Sequence, residues 1–160
     1  MSDNEIPVNS EKAEQIYGVG LLMGVFDLFH IGHLNLIRRA KARCRYLRIG
    51  VLSDALVFEF KQIFPTIPQE ERMEILRALR DVDEVVLLEK REDVSRLNEW
   101  KKRPFDCFFS GDDYEDDPYW KWERGELRKL GVELVFFPYT RSRSSSGIRA
   151  ALQNGTKSGR

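Results

Sequence analysis

Apolar and polar positions along the chain switch between two periods. Val19–Gly24 (VGLLMG) is continuously apolar, flanked by glycine and too short for a helix, which predicts a fully buried strand. From Gly32 to Cys44, His33, Leu36, Ile37, Ala40 and Cys44 recur at steps of three and four, the spacing of an amphipathic helix. Tyr46–Leu52 reads as a second strand, and Ser53 to Ile67, rich in phenylalanine and proline, as a long loop. Pro68 suits a first helical turn, and Met73, Leu76 and Leu79 carry that helix to about Arg80. Strand Glu84–Leu88, helix Asp93–Trp100 and strand Asp106–Ser110 follow. Asp117 and Pro118 then cap and open a helix to Leu130, which Gly131 stops. Val132–Phe137 is the fifth strand, and Ser144 caps a last helix through Gln153.

Strands alternating with helices predict an α/β, Rossmann-like fold: an open, mostly parallel five-stranded sheet flanked by helices. Ligands of such sheets bind at the carboxyl ends of the strands, near the topological switch. The expected domain runs over residues 17–153. A flexible polar extension (1–16) precedes it, and a disordered tail of small polar residues (154–160) follows.

Composition narrows the classes. With 160 residues, 42% hydrophobic and 32% charged, the chain suits one compact domain with a real core. Twenty-six basic residues balance 26 acidic ones, a total that points to neither a nucleic-acid nor a membrane partner. The balance is uneven: Arg141–Arg160 holds five basic residues and no acid, leaving 21 basic residues against all 26 acids before it. Cys44 and Cys107 are far apart and form no CxxC, which argues against a disulfide scaffold and a zinc site, and both read as small buried hydrophobes. No apolar run is long enough to cross a membrane, and MSDNEIP lacks the basic-then-apolar pattern of a signal peptide, so a cytoplasmic address is expected.

The chemistry-bearing stretch follows the first strand: Gly24-Val25-Phe26-Asp27-Leu28-Phe29-His30-Ile31-Gly32-His33. Its two histidines are the only ones in the chain. Three residues apart at the first turn of a helix, both can face an anion docked at the helix N-terminus, where backbone N–H groups and the dipole favour phosphate. Gly32 lets a nucleotide approach the backbone. Imidazoles donate hydrogen bonds to phosphate oxygens as charge builds on a crowded phosphorus. The plain alternative is a surface His30 and a core His33. The pattern GxFDxxHxGH resembles the signature of the cytidylyltransferase-like nucleotidyltransferases, and the resemblance spans roughly Val19 to Ala151.

That resemblance implies roles for further residues. Val25, Phe26, Asp27, His30, Gly32 and His33 would bind nucleotide, with Asp27 orienting the turn, the histidines or a metal-bound water. Gly111-Asp112-Asp113 matches a GDD-like turn whose Asp113 would receive a base amine; a simple Gly-Asp turn is the alternative. Thr140, Arg141, Ser144, Ser145 and Ser146 match a nucleotide-binding stretch, with Tyr139 where the family arginine is expected; the alternative is a capped helix behind a basic loop. Arg72 and Arg80 match two arginines on the second helix, where a separation of eight residues puts them within about 80° around the axis, so both could reach one anion; each is otherwise a solvated charge. Lys61 stands where one or two family lysines contact phosphates. Tyr119 and Trp122 read as core, and an exposed Trp120 beside an acceptor pocket is the minority reading.

The activity implied is transfer of CMP from CTP to a phosphorylated alcohol, glycerol 3-phosphate first, giving a CDP-alcohol for cell-wall or capsule-like polymers and pyrophosphate. His30, His33, Lys61 and Arg80 would be catalytic, Lys61, Arg72 and Arg80 would hold the acceptor, Mg²⁺ would accompany CTP, and the chain would form a homodimer. Two alternatives stay open: an ATP-using adenylyltransferase of the same fold, and a nucleotide-binding module without turnover.

Overall fold

The computed structural model describes residues 15–111, 118–138 and 145–154. Its five strands are β1 (Tyr17–Gly24), β2 (Cys44–Leu52), β3 (Glu84–Leu88), β4 (Cys107–Gly111) and β5 (Glu133–Phe137). They lie in the order β3-β2-β1-β4-β5, every neighbouring pair parallel. The chain moves outward from β1 to β3, then crosses back to place β4 on the other side of β1. The switch point therefore lies at the carboxyl end of β1, where the two-histidine stretch begins.

Among the described residues six α-helices flank the sheet: α1 (Ile31–Lys41), α2 (Asp54–Lys61), α3 (Gln69–Arg77), α4 (Arg96–Lys102), α5 (Pro118–Lys129) and α6 (Ser145–Asn154). Successive strand residues face opposite sides, and β1 shows the result. Leu22 packs with Ile37 and Ala40 of α1 and Met73 and Leu76 of α3, whereas Leu21 packs with Trp120 and Leu127 of α5. Two apolar layers thus sandwich the sheet, and both are anchored on its central strand.

Several local expectations are corrected. The stretch after β2 is not a loop throughout: Ser53 caps α2, its hydroxyl accepting from the Leu56 N–H at 3.1 Å, and Gln62 ends the helix in the left-handed region (φ 58°). The first helix stops at Lys41, so Cys44 is buried in β2 rather than in a helix. Arg91–Val94 forms a separate 3₁₀ turn, and extended backbone at Ser95 divides it from α4. On α5 the aromatic assignment reverses. Trp120 shares a face with Glu123 and Leu127 and is buried, while Tyr119 and Trp122 point outward and are more than half exposed.

Candidate active site at the switch point

The site is built from the turn that joins β1 to α1. His30 is the N-cap of α1, in extended backbone (φ −141°, ψ 179°). Its Nδ1 accepts from the Gly32 N–H at 3.0 Å, while its own N–H donates to His33 Nδ1 at 3.2 Å. The pair forms a reciprocal capping box made of imidazoles. Because both Nδ1 atoms accept, the neutral rings carry their protons on Nε2. The rings stack with centroids 3.9 Å apart, and His33 also stacks on Phe29 at 5.3 Å. Burial, aided by repulsion from His30 and only partly opposed by Asp27, lowers the His33 pKa from 6.5 to about 4. At neutral pH this ring is an uncharged N–H donor. One correction concerns the backbone: the Gly32 N–H is occupied by His30 Nδ1 and is not open to an anion.

Asp27 sits just upstream, 3% exposed. The residues on either side, Phe26 (φ 56°) and Leu28 (φ 49°), occupy the left-handed region, a conformation that costs bulky side chains about 1–3 kcal/mol each. The Asp27 carboxylate explains why the turn holds. Oδ1 accepts from the N–H groups of Leu28 (3.1 Å) and Ile67 (2.9 Å); Oδ2 accepts from the Thr66 N–H (2.8 Å) and Arg149 Nη2 (2.8 Å). Burial works against the charge, but the Thr66 and Ile67 N–H groups and the Arg149 guanidinium outweigh it and hold the carboxyl below its usual range. With four donors in place and almost no exposure, Asp27 ties loops together instead of offering a face to a metal-bound water. Phe26 is likewise spent on packing: its ring is buried against His33.

Arg72 is the largest departure from expectation. It is 1% exposed, and its guanidinium donates to the carbonyls of Ile67 (2.9 Å), Val25 (2.6 Å) and Leu52 (3.0 Å) and to Asp54 Oδ1 (2.7 Å). Arg72 therefore clamps the ends of β1 and β2 to α2 and to the segment before α3, with four of its five N–H donors committed and the side chain buried away from an acceptor phosphate. Arg80 does not share a helix with it, because α3 ends at Arg77, and the common-face argument falls. Arg80 in the following turn and Lys61 at the end of α2 are both exposed. From the last helix, Ser145 Oγ donates to the Asp27 carbonyl at 2.6 Å, and Ser146 is exposed beside it on the first turn. Asp113, Thr140, Arg141 and Ser144 lie outside the described residues. Sequence reading missed Arg149 and Asp54. The available signals were the i, i+4 spacing from Ser145 to Arg149, which sets both on one helix face, and the Ser53-Asp54 cap.

The cytidylyltransferase-like family model matches residues 21–151. The chain belongs to the cytidylyltransferase-like family. Among family relatives, an FAD synthase of Pyrococcus abyssi is 36% identical over 118 residues, covering 72% of this chain and 77% of its own. A glycerol-3-phosphate cytidylyltransferase of Bacillus spizizenii is 32% identical over 126 residues, 79% of this chain and 90% of its own. A bifunctional protein HldE of Streptomyces coelicolor is 35% identical over 137 residues, but this chain matches only 28% of its length. Among solved structures, a lipopolysaccharide core biosynthesis protein from Thermoplasma volcanium aligns with a TM-score of 0.61 at 20% identity, over 78% of this chain and 97% of that one, a likeness of fold. This cytidylyltransferase-like chain is nucleotidyltransferase-like in family and Rossmann-like in fold. Among its described residues, no helix is long and apolar enough to cross a membrane.

Proposed function

We propose that this member of the family transfers a nucleotidyl group from a nucleoside triphosphate to a phosphorylated alcohol. An acceptor phosphate oxygen attacks the α-phosphorus, the bond from that phosphorus to the bridging oxygen breaks, and pyrophosphate departs with the electron pair. The attacking phosphate is already ionised near neutrality, so the protein needs no nucleophile, and catalysis consists of positioning and charge stabilisation. The observation that carries the reading is the pair of stacked imidazoles at the switch point, whose Nδ1 atoms cap α1 and whose tautomer therefore puts the ring protons on Nε2. Such donors stabilise charge as it develops on the phosphoryl oxygens. Lys61 and Arg80, both exposed, are the cations proposed for the acceptor phosphate.

CTP with glycerol 3-phosphate is the first pairing, in line with the 32% identity to a glycerol-3-phosphate cytidylyltransferase. ATP is the second, favoured by the 36% identity to an FAD synthase. The described residues hold no group of three or more His, Cys, Asp or Glu side chains able to bind a metal, and the Asp27 oxygens are taken. Mg²⁺ would therefore enter with the nucleotide, held chiefly by triphosphate oxygens.

The test is pyrophosphate release with CTP and ATP in parallel, each against glycerol 3-phosphate, phosphocholine and flavin mononucleotide. Release with one nucleotide and one acceptor, abolished by omitting either, is expected. Nucleotide binding without release from any pair would replace the transferase reading with a binding module.

A further inference from the structure

We infer that Arg149 is a positioning residue: its ion pair with Asp27 seats the N-terminus of α6 against the histidine-bearing turn. The inference rests on the nucleotidyl-transfer reading, because that turn carries the proposed donors. Among its described contacts, α6 is held unusually. None of its residues is buried, and Ser146, Gly147 and Ala150 through Asn154 are all exposed, so apolar packing contributes little to its placement. Two polar contacts one helical turn apart grip the same residue instead. Ser145 Oγ holds the Asp27 carbonyl at 2.6 Å, and Arg149 Nη2 holds its carboxylate at 2.8 Å. Among the described residues, Arg149 Nε is buried without a hydrogen-bond partner, so the Asp27 contact is what fixes the guanidinium.

The Asp27 end is rigid. It is nearly inaccessible, it is flanked by two left-handed residues, and it is bonded to Thr66 and Ile67. The ion pair therefore moves α6 to the turn and not the turn to α6. Only two residues separate Asp27 from His30, so the pair sets how the first turn of α6, with Ser145 and Ser146, faces the imidazoles. Arg149 acts through this geometry and not by touching the reacting atoms.

Nucleotide titration calorimetry and initial rates on the full chain test it, comparing wild type, Arg149→Ala, Arg149→Lys, Ser145→Ala and the double variant. Arg149→Ala should lose about 10²-fold in kcat/KM for the nucleotide, the scale of a small misplacement, with weakened nucleotide affinity and an unchanged acceptor KM. Its melting temperature should fall by no more than about 4 °C, since the Asp27 carboxylate keeps its three backbone N–H donors when the guanidinium is removed. Arg149→Lys should recover part of the affinity, and adding Ser145→Ala to Arg149→Ala should cost almost nothing more, because both contacts dock one element. Wild-type affinity and rate in Arg149→Ala overturn the inference, as do losses that multiply in the double variant or a collapse of the melting temperature. A wild-type chain that binds nucleotide but releases no pyrophosphate overturns the transfer reading, while the affinities still decide the role of Arg149. A wild-type chain that binds neither CTP nor ATP overturns both.

Discussion

Two imidazoles at the end of β1 are asked to do two jobs with different atoms. Nδ1 satisfies backbone at the start of α1, and Nε2 carries the proton. His33→Asn separates the jobs, since the amide oxygen can accept where Nδ1 does but nothing replaces Nε2–H. We expect that variant to fold normally and to lose about 10²–10³ in turnover, as removal of an oxyanion-type donor does; pyrophosphate release measured beside a thermal melt checks both halves. The low His33 pKa has a stability consequence with a definite sign. Well above pH 6.5 neither the folded nor the unfolded ring is protonated and pH has no effect through this group. As pH falls from 6.5 towards about 4, the unfolded chain binds the proton first and the folded state loses stability; below about 4 both states are protonated and the loss stops. Urea midpoints across that window should fall more steeply for wild type than for His33→Asn. Parallel curves would show that burial of His33 does not disfavour its charge.

At the scale of elements, the clamp at Arg72 decides how the loops over the sheet are arranged. One buried guanidinium joins the ends of β1 and β2, the start of α2 and the segment before α3. Replacing it by methionine leaves three carbonyls and Asp54 without their donor, and we expect a loss of about 3–5 kcal/mol in denaturant unfolding, as when one partner of a buried pair is removed. Arg72→Lys should recover little, because an ammonium on a flexible stem cannot span four acceptors set around a planar fork. A near-wild-type midpoint for Arg72→Lys would show that charge rather than the fork matters. The sequence could not distinguish this arginine from a ligand-binding one. Helical spacing placed both Arg72 and Arg80 on one face, yet α3 ended at Arg77, and tertiary neighbours of Arg72 supplied every acceptor. The helix at Asp54–Lys61 was hidden for a related reason: its exposed Phe58 and Phe60 blur the amphipathic period, although the Ser53 cap was visible.

Across the whole molecule, β1 is the member on which both layers and the site converge. Gly20 lies at its middle, where an added Cβ would come within 2.5 Å of the Phe109 ring and 2.8 Å of Cys44 Sγ. Both neighbours are fully buried, so Gly20→Ala should cost about 1–3 kcal/mol by overpacking, read as a lower denaturation midpoint; an unchanged midpoint would mean that this core yields. The alternation of strands and helices, the parallel sheet and the placement of the histidine pair beyond the first strand were all legible beforehand, because each is written in local periodicity and in residues adjacent in the chain.

What the amino-acid order determined by itself was therefore the set of elements, their α/β arrangement and the two-histidine helix start, since hydrophobic period and capping act over a few residues. What only the tertiary structure decided was which charged groups remain available for a ligand. Asp27 and Arg72 are consumed by partners that lie 18–122 residues away in the chain, apart from the local bonds of Asp27 with Leu28 and of Arg72 with Ile67. No local pattern encodes such pairings, because a buried charge is satisfied by whichever backbone and side-chain groups the fold brings to it.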